Sequence, residues 1–204
     1  EEDSTSAPLI PRAFPSDALC RATGLTHERL YELCGVVLAR TLALCVAEEG
    51  AGAPLPYRLA GAVFRHVQAL PLSHHDLARD DPDYYRSKVR QVLDHDVAGL
   101  ELTFAEDLFA LDGRYVRSVC IDPTSSAYYA KSKEPLVRLD SSPVPGHAPT
   151  EEEQQGREVT EANKEQYVDE LARFRLQGAM RAQLDAFRAG FVRVLAEEQT
   201  ALFT

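Results

Sequence analysis

Apolar residues in this chain recur at the spacing of a helix, and that periodicity limits its fold more than any other feature. Leu30, Leu33 and Val37, then Leu38, Leu42 and Cys45, follow one another at intervals of three and four. Such spacing puts a stripe of side chains on one face and predicts a core-facing helix. It should start from an N-cap at Thr26, whose hydroxyl can accept a free amide of the first turn, and run to about Glu49. Leu59, Val63, Phe64 and Val67 mark a second, shorter stripe. Ser73 to Asp76 has the spacing of a capping box. Asp81-Pro82 is another start signal, because proline in a first turn gives up an N–H that has no partner anyway. That helix should pass through Tyr85, Val89 and Val92 to about His95. Thr160 reads as a further N-cap, ahead of one stripe through Tyr167, Leu171 and Phe174. A second stripe runs through Met180, Leu184, Phe187, Phe191 and Leu195, and Gly178 marks a break between the two.

Elsewhere the period changes or disappears. Leu100, Leu102 and Phe104 alternate with Glu101 and Thr103, and Tyr115 to Ile121 is rich in β-formers, with Asp112-Gly113 as a turn nearby. The expected fold class is therefore α+β, predominantly helical, with a short sheet or hairpin near 100–121. Residues 1–24, with Pro8, Pro11 and Pro15 among polar residues, read as an extended lead-in. Residues 123–156 hold five prolines, several serines and the run Glu151-Glu152-Glu153. A stretch of that kind buries too little apolar surface to offset its ordering entropy, so it reads as a mobile insertion. Tyr128 and Tyr129 are the residues in it able to dock locally.

Charge and cysteine usage narrow the function. With 22 Lys+Arg against 32 Asp+Glu the formal net charge is −10, which does not supply the basic face a nucleic-acid partner requires. No signal peptide is expected, and no apolar run comes near the roughly 18 residues a membrane span needs. Cys20, Cys34, Cys45 and Cys120 form no CxxC pair, and Cys34 and Cys45 fall inside the helical pattern, so they read as small core hydrophobes. The only methionine is Met180 and the chain opens Glu1-Glu2-Asp3, which suggests a piece of a longer protein.

Motifs for chemistry are scarce. There is no GxSxG, P-loop, GxGxxG or HExxH. His74-His75-Asp76 and Asp94-His95-Asp96 could together enclose a divalent ion and suggest a metal-dependent hydrolase. The favoured reading is a helix cap for the first and a polar helix end for the second. His66, beside an apolar stripe, is expected to be packed rather than to act as a general base. Arg175, inside an apolar helix, is expected to bond a carboxylate or carbonyls, since an enclosed guanidinium is costly unless paired.

Several ordered blocks resemble the N-terminal lobe of HECT-type ubiquitin ligases. They include Leu33-Cys34-Gly35-Val36-Val37-Leu38-Ala39-Arg40-Thr41-Leu42, Leu70-Pro71-Leu72, Asp81-Pro82-Asp83-Tyr84-Tyr85-Arg86-Ser87, Leu93-Asp94-His95-Asp96-Val97 and Leu100-Glu101-Leu102-Thr103-Phe104. The strongest is Val159-Thr160-Glu161-Ala162-Asn163-Lys164-Glu165-Gln166-Tyr167-Val168, which the family writes V-T-x-x-N-K-x-x-Y-[VI]. It continues as Phe174-Arg175-Leu176, Gln183-Leu184-Asp185-Ala186-Phe187 and Gly190-Phe191. The set covers about residues 30–204, and Gly178-Ala179-Met180-Arg181 is most like the very large HECT ligases. Phe174 stands where tryptophan or methionine is common, Val36 where arginine is common, and most of 123–156 is additional.

The resemblance implies that residues 25–204 form the large subdomain of a HECT N-lobe. Leu202-Phe203-Thr204 aligns with the point just before an acidic E-L-E-x-L-L helix. The subdomain that recruits a ubiquitin-conjugating enzyme, and the lobe with the catalytic cysteine in T-C-x-x-x-L-x-L-P, have no counterpart in these residues. The parent would pass ubiquitin from a conjugating enzyme through a cysteine thioester to substrate lysines. Ubiquitin, a conjugating enzyme and protein substrates would be its partners, in the cytoplasm or nucleus of a eukaryote. No catalytic, cofactor-binding or metal-ligating residue is assigned, no cofactor is expected, and these residues alone are expected to be inactive and monomeric. An alternative is a module that binds ubiquitin or another protein without covalent chemistry.

Overall fold

A computed structural model describes residues 8–11, 17–47, 58–109, 115–131 and 156–196. The Asp112-Gly113 turn, residues 132–155 of the expected insertion and Leu202 to Thr204 lie outside them. The chain divides into two compact units, one of residues 1–71 with 180–204 and the other of residues 72–179.

In the first unit, α1 (Asp17–Thr23) and α2 (His27–Ala47) lead to α3 (Gly61–Val67), and α8 (Arg181–Val192) completes it. The extended reading of residues 1–24 is corrected over α1, where Ala18, Leu19 and Arg21 are good helix formers lying beyond the last proline. Leu9 does run extended and bridges to Leu59, its N–H donating to the Arg58 carbonyl at 2.7 Å. Thr26 caps α2 as expected, its Oγ1 accepting from the Arg29 N–H at 3.2 Å.

The core of this unit is Leu38, Ala39, Ala60, Val63, Val67, Met180, Leu184, Phe187 and Phe191. It forms where α2 crosses α8. A Cβ on Gly190 would overlap the Glu32 carbonyl, and one on Gly35 the Phe187 carbonyl, so two glycines let the backbones meet with no side chain between them. That contact decides which face of α2 turns inward. Tyr31, Gly35, Leu38, Ala39 and Leu42 do so, whereas Leu33, Cys34 and Val37 are exposed. The expectation that Leu33, Cys34 and Val37 belong to the core stripe is thereby corrected. α2 is apolar around most of its circumference, and periodicity alone cannot choose between two apolar faces.

In the second unit, α4 (His74–Asp80) opens with the expected capping box between Ser73 and Asp76. Asp81 then accepts from the Tyr84 N–H and starts α5 (Pro82–Tyr84), which passes through a π-helical turn (Tyr85–Val89) into α6 (Arg90–Asp94). Strands β1 (Ala105–Phe109) and β2 (Tyr115–Cys120) pair antiparallel, with Ala105 opposite Cys120 and an irregularity after Leu108. The alternation at 100–104 lies just ahead of β1 and not in it. Leu102 and Phe104 bond instead to 157–159, where the Phe104 N–H donates to the Arg157 carbonyl and the Val159 N–H to the Leu102 carbonyl, both at 2.8 Å.

Helix α7 (Lys164–Leu176) closes this unit, with α4 and α6 packed on it. Tyr167, Leu171 and Phe174 are buried on it, and Tyr167 meets Phe104 edge to face at 5.4 Å. A short 3₁₀ turn, Gly178–Met180, stands at the expected break before α8. Among the described residues the fold is thus predominantly helical with one small antiparallel sheet, as its sequence class implies.

Candidate functional site

The block Val159 to Val168 gathers more tertiary bonds than its length suggests. Thr160 is not the N-cap of α7. Its own N–H donates to Asn163 Oδ1 at 2.8 Å, while Asn163 Nδ2 donates to the Glu158 carbonyl at 3.1 Å. The side-chain amide holds a turn that delays the helix to Lys164. Glu161 meanwhile accepts from the Val97 N–H at 2.8 Å, and Lys164 Nζ donates to the His95 carbonyl at 3.1 Å. The salt bridge and hydrogen bond from Lys164, and then the Val97 amide, hold the Glu161 carboxyl below its ordinary range. Lys164 of this motif, together with Glu161, therefore ties 158–164 to 95–97, while Thr160 and Asn163 hold the turn within 158–164.

Two further networks sit on buried or half-buried carboxylates. Glu106 on β1 accepts from Tyr84 Oη at 2.8 Å and from Lys88 Nζ at 2.5 Å, which the π-helical turn places together. Burial first, and then the Glu106 charge, push the Tyr84 phenol well above its usual range. Arg175 stacks on the Tyr84 ring, 3.8 Å from its centroid, and bonds Asp81 Oδ2 through both Nε and Nη2. Its expected carboxylate is thus Asp81, although the guanidinium is partly exposed. Glu170 on α7 is 3% exposed and accepts from Tyr128 Oη at 2.7 Å and Arg173 Nη1 at 2.5 Å. Tyr129 packs on Phe174 at 5.1 Å, so both tyrosines at the start of the expected insertion do dock. Sequence reasoning passed over Glu170, yet it lies between Tyr167, Leu171 and Phe174 on one helical face. A carboxylate on a buried stripe is the signal that could have found it.

The two His/Asp clusters are not assembled into one site. His74 directs Nδ1 to Asp169 at 2.7 Å, and Asp76 is used by the Ser73 capping box and by Arg79. His75 packs its ring on His74 at 4.1 Å. Asp94 takes Arg90, His95 Nδ1 lies 3.1 Å from the Gln91 carbonyl, and Asp96 accepts from the Ala98 N–H. Among the described residues no three His, Cys, Asp or Glu side chains converge to hold a metal ion. His66 is buried and meets Asp185 at 2.9 Å, a packed histidine tying α3 to α8. That bond is the main reason the Asp185 carboxyl lies below its usual range, with the Arg181 and Arg188 charges adding to it.

Cys120 is buried, Cys20 and Cys45 are partly covered, and Cys34 is exposed on α2. Partial desolvation nonetheless pushes the Cys34 thiol above its ordinary range. A nucleophilic cysteine needs the opposite, a cation or base that favours thiolate. Among the described residues no histidine or carboxylate bonds any of the four. What the arrangement does chemically is hold carboxylates in place and fix helices to one another.

The family model for the HECT domain (ubiquitin-transferase) matches residues 2–204. The chain is 29% identical over 143 residues to E3 ubiquitin-protein ligase UPL1 of Arabidopsis thaliana, covering 69% of this chain and 3% of that protein. It is 25% identical over 179 residues to apoptosis-resistant E3 ubiquitin protein ligase 1 of Mus musculus, covering 86% and 18%. To E3 ubiquitin-protein ligase TOM1 of Saccharomyces cerevisiae it is 23% identical over 188 residues, covering 90% and 4%. The chain thus spans less than a fifth of the length of each of these relatives.

Proposed function

This chain belongs to the HECT family of ubiquitin-transferase domains, and on that premise we propose that it is a scaffold within such a domain and not the seat of its chemistry. The observation that supports this reading most is the state of its four cysteines: one buried, two half-covered, and Cys34 exposed with its thiol pushed above its ordinary range by partial desolvation. Transfer through a thioester requires a thiolate that attacks ubiquitin's activated C-terminus and is later displaced by a lysine amine. In this reading the nucleophile and the surface for the conjugating enzyme belong to other parts of the parent ligase, which acts on protein substrates in the cytoplasm or nucleus. Residues 25–204 then serve as the large subdomain of the N-lobe, rigidly holding the parts that move. The test is to supply the chain with activating enzyme, conjugating enzyme, ATP and ubiquitin. No reductant-sensitive ubiquitin adduct should form, and such an adduct on Cys20, Cys34, Cys45 or Cys120 would refute the reading.

A second reading, non-covalent protein binding, is favoured by an exposed aromatic pair. Phe109 and Tyr115 close the hairpin edge to face at 6.0 Å, each about half exposed. Ubiquitin titrated into labelled chain should then shift amides around 107–109 and 115–118, and unchanged spectra would dismiss it.

A further inference from the structure

Helix α2 has a second apolar face that the described residues of its own unit leave exposed. Tyr31, Gly35, Leu38, Ala39 and Leu42 turn inward, and a globular helix normally carries polar residues opposite such a stripe. Here the opposite face carries Leu30, Leu33, Val37, Arg40 and Leu44, at successive intervals of three, four, three and four. Leu33 is 37% exposed, Val37 59% and Leu44 60%. Strict three-four spacing along one narrow line is the a/d pattern of a coiled-coil seam, in which side chains insert between those of one facing helix. Arg40 occupies a d position in that line, is exposed, and has no carboxylate partner among the described residues.

Arg40 determines what can cover the seam. A parallel pair of α2 helices would set Arg40 against Arg40. An antiparallel pair would set it against Val37 or Leu30. Either arrangement encloses a guanidinium without a carboxylate, which is strongly unfavourable. The acids of α2 cannot help, because Glu28 lies on the far flank and Glu32 is held by Arg29 and Arg193. We propose that the outward face of α2 docks a single amphipathic helix of a partner protein, with apolar a and d residues and one carboxylate opposite Arg40. A polar residue in such a seam fixes register and partner at a cost in stability, which suits selective over promiscuous pairing.

The test uses the 204-residue chain and a labelled synthetic four-heptad helix with leucine at a and d and glutamate at the layer facing Arg40. Binding should weaken at least about tenfold with Val37→Asp and with Leu44→Ser, both at exposed positions that leave the fold intact. Replacing the peptide glutamate by lysine should abolish binding to the natural chain and restore it to Arg40→Glu. Absence of binding, binding indifferent to Val37→Asp, or failure of the charge exchange overturns the proposal. So does sedimentation showing a dimer of the chain that Val37→Asp dissociates, since the occupant is then a second copy.

Discussion

The two units of this chain are stabilised by different kinds of contact. In the first, α2 and α8 approach until Gly35 and Gly190 meet opposing backbone, and leucine, valine and phenylalanine fill the rest. In the second, an apolar core exists too, but carboxylates recur around it: Asp76, Glu106, Asp169 and Glu170, each with a named donor. The first unit should tolerate no added atom at its crossing and many changes of polarity outside it. The second should tolerate changes of size better than loss of a single donor or acceptor, because a buried polar group left without its partner costs more than the bond contributed.

That contrast can be broken or sharpened by substitution. The largest effect should come from Gly190→Ala, whose single methyl must displace the Glu32 backbone. A loss of about 3 kcal/mol or more is expected from overpacking against main chain, read by denaturant unfolding. A loss near zero would mean that the crossing is looser than described. Next is Glu170→Ala, which strips Tyr128 and Arg173 of their acceptor and should cost about 2 kcal/mol, with Arg173 partly rescued by solvent. Tyr128→Phe removes only one hydroxyl from that network and should cost about 1 kcal/mol. Equal losses for the two variants would show that Glu170 is not the hub.

The smallest effect belongs to the His66–Asp185 pair in the first unit. Asp185 has its carboxyl depressed by His66, so this contribution is present above the unfolded carboxyl range and lost as pH falls through the folded value. Asp185→Asn should lower stability by less than about 1 kcal/mol at neutral pH and flatten the decline below about pH 4. An unchanged acid limb would assign that decline to other carboxylates.

The same contrast explains what was legible in the sequence. Helices α2 to α8 announce themselves through periodicity and through local caps at Thr26, Ser73 and Asp81, because both signals act within a few residues. Local signals failed where the deciding contact is distant. The Thr160 hydroxyl resembles a cap, but Asn163 and the remote Val97 amide fix the turn differently. The inward face of α2 is chosen by Gly190, about 150 residues away along the chain. Family membership was legible from the order of its motifs, whereas the roles of their polar residues emerged only from their partners. Of the carboxylate hubs, Glu106 is recognisable only beside its donors Tyr84 and Lys88, whereas Glu170 was passed over although it stands on the stripe of Tyr167, Leu171 and Phe174.

The claim that this chain is scaffold and not nucleophile is tested most directly by single-turnover discharge. A conjugating enzyme loaded with ubiquitin as a thioester is mixed with the chain, and loss of the thioester is followed over time. The account predicts the same discharge rate with and without the chain, and no change with Cys34→Ser. Discharge accelerated by the chain and abolished by Cys34→Ser would contradict it.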